Sequence, residues 1–229
     1  MVTKRQQDIL RTLIFEHIQS ENTIPSSHLA VRFDLSPAMM RIELAELERQ
    51  GYLAQPHPSA GRIPTEEGYR FFVEHTLHET NIQEEEQDVL TAVFKNNQSV
   101  LPLKSLARAL SEITNELIFL NMGGKDSYVT GLAYFLSKSE FGVPESRGAM
   151  LRIVKFLESG IHNVFRDVVT IQIIIGRDNP VSSACSVVVI PYKIHHLRGV
   201  IGILGPMRMD YSYNYSVMKY IDQLIANFR

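Results

Sequence analysis

Apolar positions recur at helical spacing from Lys4 to Ser20, where Ile9, Leu10, Leu13, Ile14, His17 and Ile18 share one face. Ser26 and Ser27 are N-cap candidates for a short second helix, Leu29 to Phe33, and Asp34-Leu35 supplies the turn after it. A third helix is predicted from Ser36 to Gln50. It opens with Ser-Pro, suited to an N-cap and a first helical position. Met40, Leu44 and Leu47 fall on one side of it, at i, i+4 and i+7, and form its expected core face. Met39, Ile42, Glu43 and Glu46 lie on other faces. The pattern then changes. Gly51 to Thr65 reads as a short strand, a Pro/Ser/Gly-rich loop and a return strand. Thr65 to about Leu77 reads as a fourth helix, packing Tyr69, Phe72 and Val73 back on the first.

The run Glu84-Glu85-Glu86 marks a solvated boundary. Gln83 to Asn96 is predicted helical, with Val89, Leu90, Val93 and Phe94 on its apolar side. Leu103 to Ile118 is predicted likewise, with Leu106, Leu110, Ile113 and Leu117. These helices read equally well as a spacer or as a lever setting the distance between paired heads. Gly123-Gly124 breaks the helical pattern. Beyond it Tyr128 to Phe135, Val168 to Ile175, Ser186 to Tyr192 and Val200 to Leu204 are β-branched or apolar runs bounded by Gly, Pro, Asp and Asn. Ser146 to Glu158 and Ser212 to Phe228 read as helices. The order β-α-β-β-β-α implies a mainly antiparallel sheet packed by helices. The expected class is α+β, with an N-terminal domain at 1–78, a helical connector at 79–122 and a sheet domain at 123–229.

A helix followed by a small hairpin is the plan of a winged helix-turn-helix. Such a module places the helix in the major groove and the wing along the backbone or minor groove. Arg62, next to Gly61 at an expected tight wing tip, is the first candidate for DNA contact, through a narrow minor groove or a phosphate. The alternative is a salt bridge to Glu66 or Glu67. His57 between two prolines can donate to a phosphate or simply shape the loop, and Ser59 lies beside it. Arg41 is the candidate base-edge or phosphate donor of the third helix. Met39 and Ile42 can meet thymine methyls. Ser27, Ser36 and Ala38 complete the candidate DNA-binding set. A helical domain whose hairpin only closes the core, or a protein-interaction module, fits the same pattern.

Charge tempers the nucleic-acid reading. Residues 1–75 carry 8 Lys/Arg against 10 Asp/Glu, whereas phosphate neutralisation supplies much of DNA affinity. Glu43, Glu46 and Glu48 are tolerable near phosphates only if they point away or accept from a cytosine amino group. Modest nonspecific affinity is therefore expected. Residues 76–123 carry 3 positive against 7 negative side chains, and 124–229 carry 12 against 8. The 229 residues suit one large domain or two small ones, and 45% apolar content is ample for buried cores. No run approaches the length of a membrane span, and Lys4, Arg5 and Asp8 leave no apolar signal core. A cytoplasmic protein with no membrane partner is expected.

No catalytic constellation is visible, so an enzyme is not expected, and neither a cofactor nor a metal is implied. His195-His196 are neighbours, poorly spaced to chelate one metal, and read as turn residues beside Arg198. Gly199 to Gly205 lacks the Lys-Ser/Thr of a P-loop and reads as a strand with tight ends. Asp178 and Asp210 follow strands, where turns favour Asp. Cys185 is the single cysteine and sits in the apolar run Ala184 to Ile190, as a buried inert thiol.

Ser36-Pro37-Ala38, Arg41, Glu43, Leu47-Glu48, Gly51-Tyr52-Leu53, Gln55-Pro56-His57, Ser59 to Thr65 and Gly68-Tyr69-Arg70 together resemble the N-terminal domain of the heat-inducible transcription repressors of the HrcA type. Ile175-Gly176, Gly202, Gly205-Pro206 and Arg208 to Tyr211 resemble that family's closing segment. Weaker similarity runs through Leu110-Ser111 and Glu140-Phe141. The resemblance implies a GAF-like sheet domain and a repressor of chaperone operons. It also implies a homodimer on an inverted-repeat operator, held active by a chaperonin. Departures are informative. The space from about Leu120 to Arg166 is too short for the family's inserted dimerisation region. Met39 stands where Thr is usual, Ile42 where Asn is usual and Met207 where Thr is usual. A ligand-sensing or protein-interaction module with changed or lost operator specificity is the alternative.

Overall fold

The computed structural model describes residues 2–95, 101–123, 126–142, 146–159, 161–194 and 197–227. Two compact units divide the chain, Met1–His78 and Glu79–Arg229. His195-His196, Gly124 and Phe228 lie outside the described residues.

The first unit begins with α1, Lys4–Ser20. A capping box starts it: the Gln6 amide donates to Thr3 Oγ1 at 3.2 Å, and the Thr3 amide donates to Gln6 Oε1 at 3.0 Å. α2 spans Ser26–Arg32. Its N-cap is Pro25 and no side chain caps it, so Ser26 and Ser27 sit inside the first turn and are not the cap. α3 spans Pro37–Arg49, with Pro37 at the first position and Ser36 Oγ accepting from the Met39 amide at 3.2 Å. The strands β1, Leu53–Ala54, and β2, Ile63–Pro64, pair antiparallel with Leu53 opposite Pro64. α4, Glu66–His75, is capped by Thr65. Ile9, Leu13, Ile14, Leu29, Met40, Leu44 and Leu47 are fully buried, so the core face expected of α3 is the one observed.

The second unit is built on a five-stranded antiparallel sheet in the order β4-β3-β7-β6-β5. β3 is Leu117–Asn121, β4 Ser127–Thr130, β5 Gln172–Ile175, β6 Cys185–Ile194 and β7 Leu197–Pro206. The helices are α5, Glu84–Lys95; α6, Leu101–Thr114; α7, Leu132–Leu136; α8, Arg147–Ser159; α9, Ile161–Val164; and α10, Tyr211–Asn227. Three readings need correction. Leu117 and Ile118 do not end a helix. Asn115 adopts a positive φ of 53° and the chain turns there into β3, so the change of class precedes Gly123. Tyr128 to Phe135 is not one strand: Gly131, at φ 82°, ends β4 and starts α7. Val168 to Ile171 lie before β5.

Both sheet faces are covered, which is why β6 is apolar without a break from Val187 to Ile190. On one face Phe119 stacks on Phe165 at 5.1 Å between ring centroids and meets Phe156 edge-on at 5.5 Å. That ring lies over Gly202, its partner in register, where an added Cβ would come within 2.1 Å of the Phe119 ring. Leu204, Val187, Val189 and Cys185 extend the same layer, and burial pushes the Cys185 thiol up to about 12. The opposite face carries Ile118, Leu120, Ile201, Ile203, Val188 and Ile190, all fully buried.

A charged cluster sits in this unit, with one buried carboxyl and three half-buried neighbours, Lys138, Glu140 and Arg208. Glu116 is 3% exposed, accepts from Lys138 Nζ at 3.3 Å, and has no hydrogen-bond partner for Oε2 among the described residues. Gly205 leaves room for it: a Cβ there would lie 2.9 Å from that oxygen. Nearby, Arg208 Nη2 donates to Glu140 Oε2 at 3.1 Å. Burial pushes the Glu116 carboxyl up to about 7, against the pull of Lys138. A carboxyl whose value rises on folding stabilises in full below its unfolded value near 4.5, and that contribution is lost as pH rises through about 7. We predict that Glu116→Gln, compared with the wild type by urea unfolding, gains relative stability between pH 4.5 and 8, by on the order of 2–3 kcal/mol. Tyrosine near-ultraviolet circular dichroism reports the transition, since the chain has no tryptophan. A pH-independent difference would contradict the assignment.

Candidate nucleic-acid interface

α3 presents the candidate surface. With Met40, Leu44 and Leu47 turned inward, Ala38, Met39, Arg41, Ile42, Ala45 and Arg49 are left exposed on the remaining faces. Met39 is 43% and Ile42 61% exposed. Ser36 is exposed at the cap, and Ser27 is exposed in the first turn of α2. Arg41 makes no ion pair among the described residues and is free to reach outward.

The three acids of α3 are each committed elsewhere. Glu43 Oε2 accepts from Gln6 Nε2 at 2.9 Å, and Arg5 approaches its other oxygen at 3.4 Å. Gln6 therefore caps α1 and holds α3 with the same side chain. Glu46 accepts from Arg49 at 2.6 and 2.8 Å and from Gln50 at 2.6 Å. The Arg49 guanidinium, helped by Gln50, holds the Glu46 carboxyl down to about 2. Glu48 Oε2 accepts from Arg62 Nε at 3.0 Å. The repulsion that three carboxylates would offer a phosphate backbone is thereby reduced without any excess of basic residues.

Arg62 is not at a tip. Its side chain is 18% exposed and its partner is Glu48, while Glu66 pairs with Arg70. Its backbone forms a bridge with Ile24, through Ile24 N to Arg62 O at 2.8 Å and Arg62 N to Ile24 O at 2.9 Å. Gly61 permits that approach, since a Cβ there would stand 2.4 Å from Ile24 O. The tip is Pro56 to Ser59, with His57 and Ser59 both exposed. Gln55 shapes it: Nε2 donates to Pro58 O and Ala60 O, each at 2.9 Å, and the Ala60 amide donates to His57 O at 2.9 Å. The structure thus brings Ala38, Met39, Arg41 and Ile42 together on α3, places His57 and Ser59 on the loop, and tucks Gly61 and Arg62 at its base. Sequence reasoning missed Glu48 as the partner of Arg62 and Gln55 as the loop's staple. The first needs the hairpin's placement against α3. The second was signalled only by an amide beside a Pro-rich turn.

Among the described residues no cluster of His, Cys, Asp or Glu could hold a metal ion, and no helix is long and apolar enough to cross a membrane. A crystal structure of a hypothetical protein matches over 100% of this chain and 99% of that one, with a TM-score of 0.75 and 17% identity, and so shares the fold. The chain is 34% identical over 118 residues to the heat-inducible transcription repressor HrcA of Carboxydothermus hydrogenoformans, covering 50% of this chain and 35% of that protein. It is 43% identical over 115 residues to the protein of the same name from Natranaerobius thermophilus, covering 48% and 34%. The matched segments thus amount to about half of this chain and about a third of those repressors. Residues 66–213 match the family model for the HrcA protein C-terminal domain, which takes in all five strands of the second unit's sheet, and the chain belongs to the HrcA family.

Proposed function

We propose that the chain is a sequence-specific DNA-binding repressor of heat-shock and chaperone operons, acting in the cytoplasm. Its first unit works as a winged helix-turn-helix, with α3 in the major groove and the hairpin loop along the backbone. The second unit is a reduced GAF-like domain. The observation that carries the reading is the outer face of α3. Arg41, Met39 and Ile42 are all exposed there, while Glu43, Glu46 and Glu48 are each held by a partner. The names of the HrcA relatives support the biological role. An inverted-repeat operator needs two-fold symmetry, so the acting form is a homodimer made through residues after Gln83. The chaperonin is its proposed protein partner, on the family resemblance.

In this reading Arg41 touches DNA, and Arg62 chiefly neutralises Glu48 and ties the hairpin to α3. Met39 and Ile42 favour thymine methyls over hydrogen-bonded base edges, so the preferred operator differs from the usual family element.

Fluorescence anisotropy with an inverted-repeat duplex from a chaperone promoter tests both roles. Arg41→Ala should weaken binding by about 1–3 kcal/mol, or lower the salt slope by about one if it meets a phosphate. The stoichiometry should be two chains per repeat. Unchanged affinity and salt slope would take α3 off the DNA.

Arg62→Ala should weaken binding as well, by exposing the Glu48 charge. Arg62→Ala with Glu48→Gln should then recover most of the lost affinity. A double variant as weak as the single one would show that Arg62 itself grips the DNA.

A further inference from the structure

The β6–β7 hairpin holds a feature that folding does not explain. Lys193 stands directly opposite Arg198 in register, and both are exposed. Like charges facing each other across an antiparallel pair destabilise it. Neither makes an ion pair among the described residues. Both line an open cleft of about 820 Å³, shared with Arg166, the exposed Val169 and the half-buried Pro191, over a floor that includes the buried Phe165 and Val200. No Asp or Glu lines it among the described residues. The hydroxyl at its wall is already used, since Tyr192 donates to Asn121 O at 2.7 Å. What remains for a ligand is an apolar wall with cations at its rim. Its volume falls in the usual small-molecule range of roughly 300–1,000 Å³.

We propose that this cleft binds a small organic anion, its acidic group between Lys193 and Arg198 and its apolar body against Val169 and Pro191. A DNA backbone offers the same negative charge but no apolar body, and a concave apolar wall gives it nothing to grip. The site lies wholly within the second unit, so it stands whether or not the first unit reads DNA. Such an anion would offset the repulsion built into the hairpin.

Isothermal calorimetry on the full chain tests this with 1-naphthoate as the probe, and with neutral 1-naphthamide and inorganic phosphate for comparison. Naphthoate should bind saturably at one site. Naphthamide should bind about ten-fold or more weakly, because a hydrogen bond to a charged group contributes about that factor. Phosphate, lacking the apolar body, should also bind more weakly. Lys193→Glu should abolish naphthoate binding and raise Tm, because it converts the opposed pair into a cross-strand ion pair with Arg198. The higher Tm also shows that the variant folds, and Arg198→Ala gives a second, charge-deleting test of binding. Several results would overturn the proposal: no naphthoate binding, equal affinity for naphthoate and naphthamide, phosphate binding as tightly as naphthoate, or a folded Lys193→Glu that still binds. A Lys193→Glu protein that loses affinity for duplex DNA while never binding naphthoate would mark the pair as a DNA contact instead.

Discussion

The outer face of α3 depends on where its three carboxylates go. Glu43, Glu46 and Glu48 lie along a helix whose other exposed residues are small, apolar or basic. Left free, they would repel a phosphate backbone in a unit that carries no net positive charge. Each is drawn to a different neighbour: Gln6 and Arg5 on α1, Arg49 and Gln50 at the helix end, and Arg62 at the base of the hairpin. The same bonds do structural duty. Glu43 joins α3 to the capped start of α1, and Glu48 joins it to the hairpin whose base is closed by the Ile24–Arg62 bridge. Orientation of α3 and the electrostatics of its surface are thus one arrangement.

The second unit obeys a different constraint, a sheet that must be dry on both sides. Gly202 gives up a side chain so that the Phe119 ring can lie over β7 and stack with Phe165. Gly205 does the same for the Glu116 carboxylate. The segment that follows is fastened residue by residue. Arg208 pairs with Glu140, Asp210 caps α10 through the Tyr213 amide at 3.0 Å, and the Tyr211 hydroxyl meets Ser186 Oγ at 2.7 Å beneath the sheet. The residues that resembled a family closing segment therefore have a structural reason to occur together. They lock the last helix to the sheet.

Local signals were legible where backbone chemistry is local. The Ser36-Pro37 start, a helix beginning at about Thr65 and the inward face of α3 followed from capping and spacing alone, and the structure has them, with Thr65 as the cap of α4. Signals failed where tertiary packing decides. Leu117 and Ile118 continue a helical period, yet Asn115 turns the chain and the sheet claims them. Ser26 and Ser27 have cap chemistry, but Pro25 occupies the cap. Arg62 was identified as important from its setting, but its partner is fourteen residues earlier on another element, and spacing gives no hint of that. Met39 and Ile42 stood out by being apolar off the core face, and both are exposed.

The central claim is that α3, with its acids turned aside, reads a defined DNA sequence. Sheared chromosomal DNA passed over the immobilised full chain, followed by sequencing of what is retained at moderate salt, tests it directly. The account predicts that retained fragments share one inverted repeat, with thymines where Met39 and Ile42 would meet the groove, and that Arg41→Ala loses that enrichment. Retention of fragments with no common sequence, or an identical enrichment from Arg41→Ala, would contradict it.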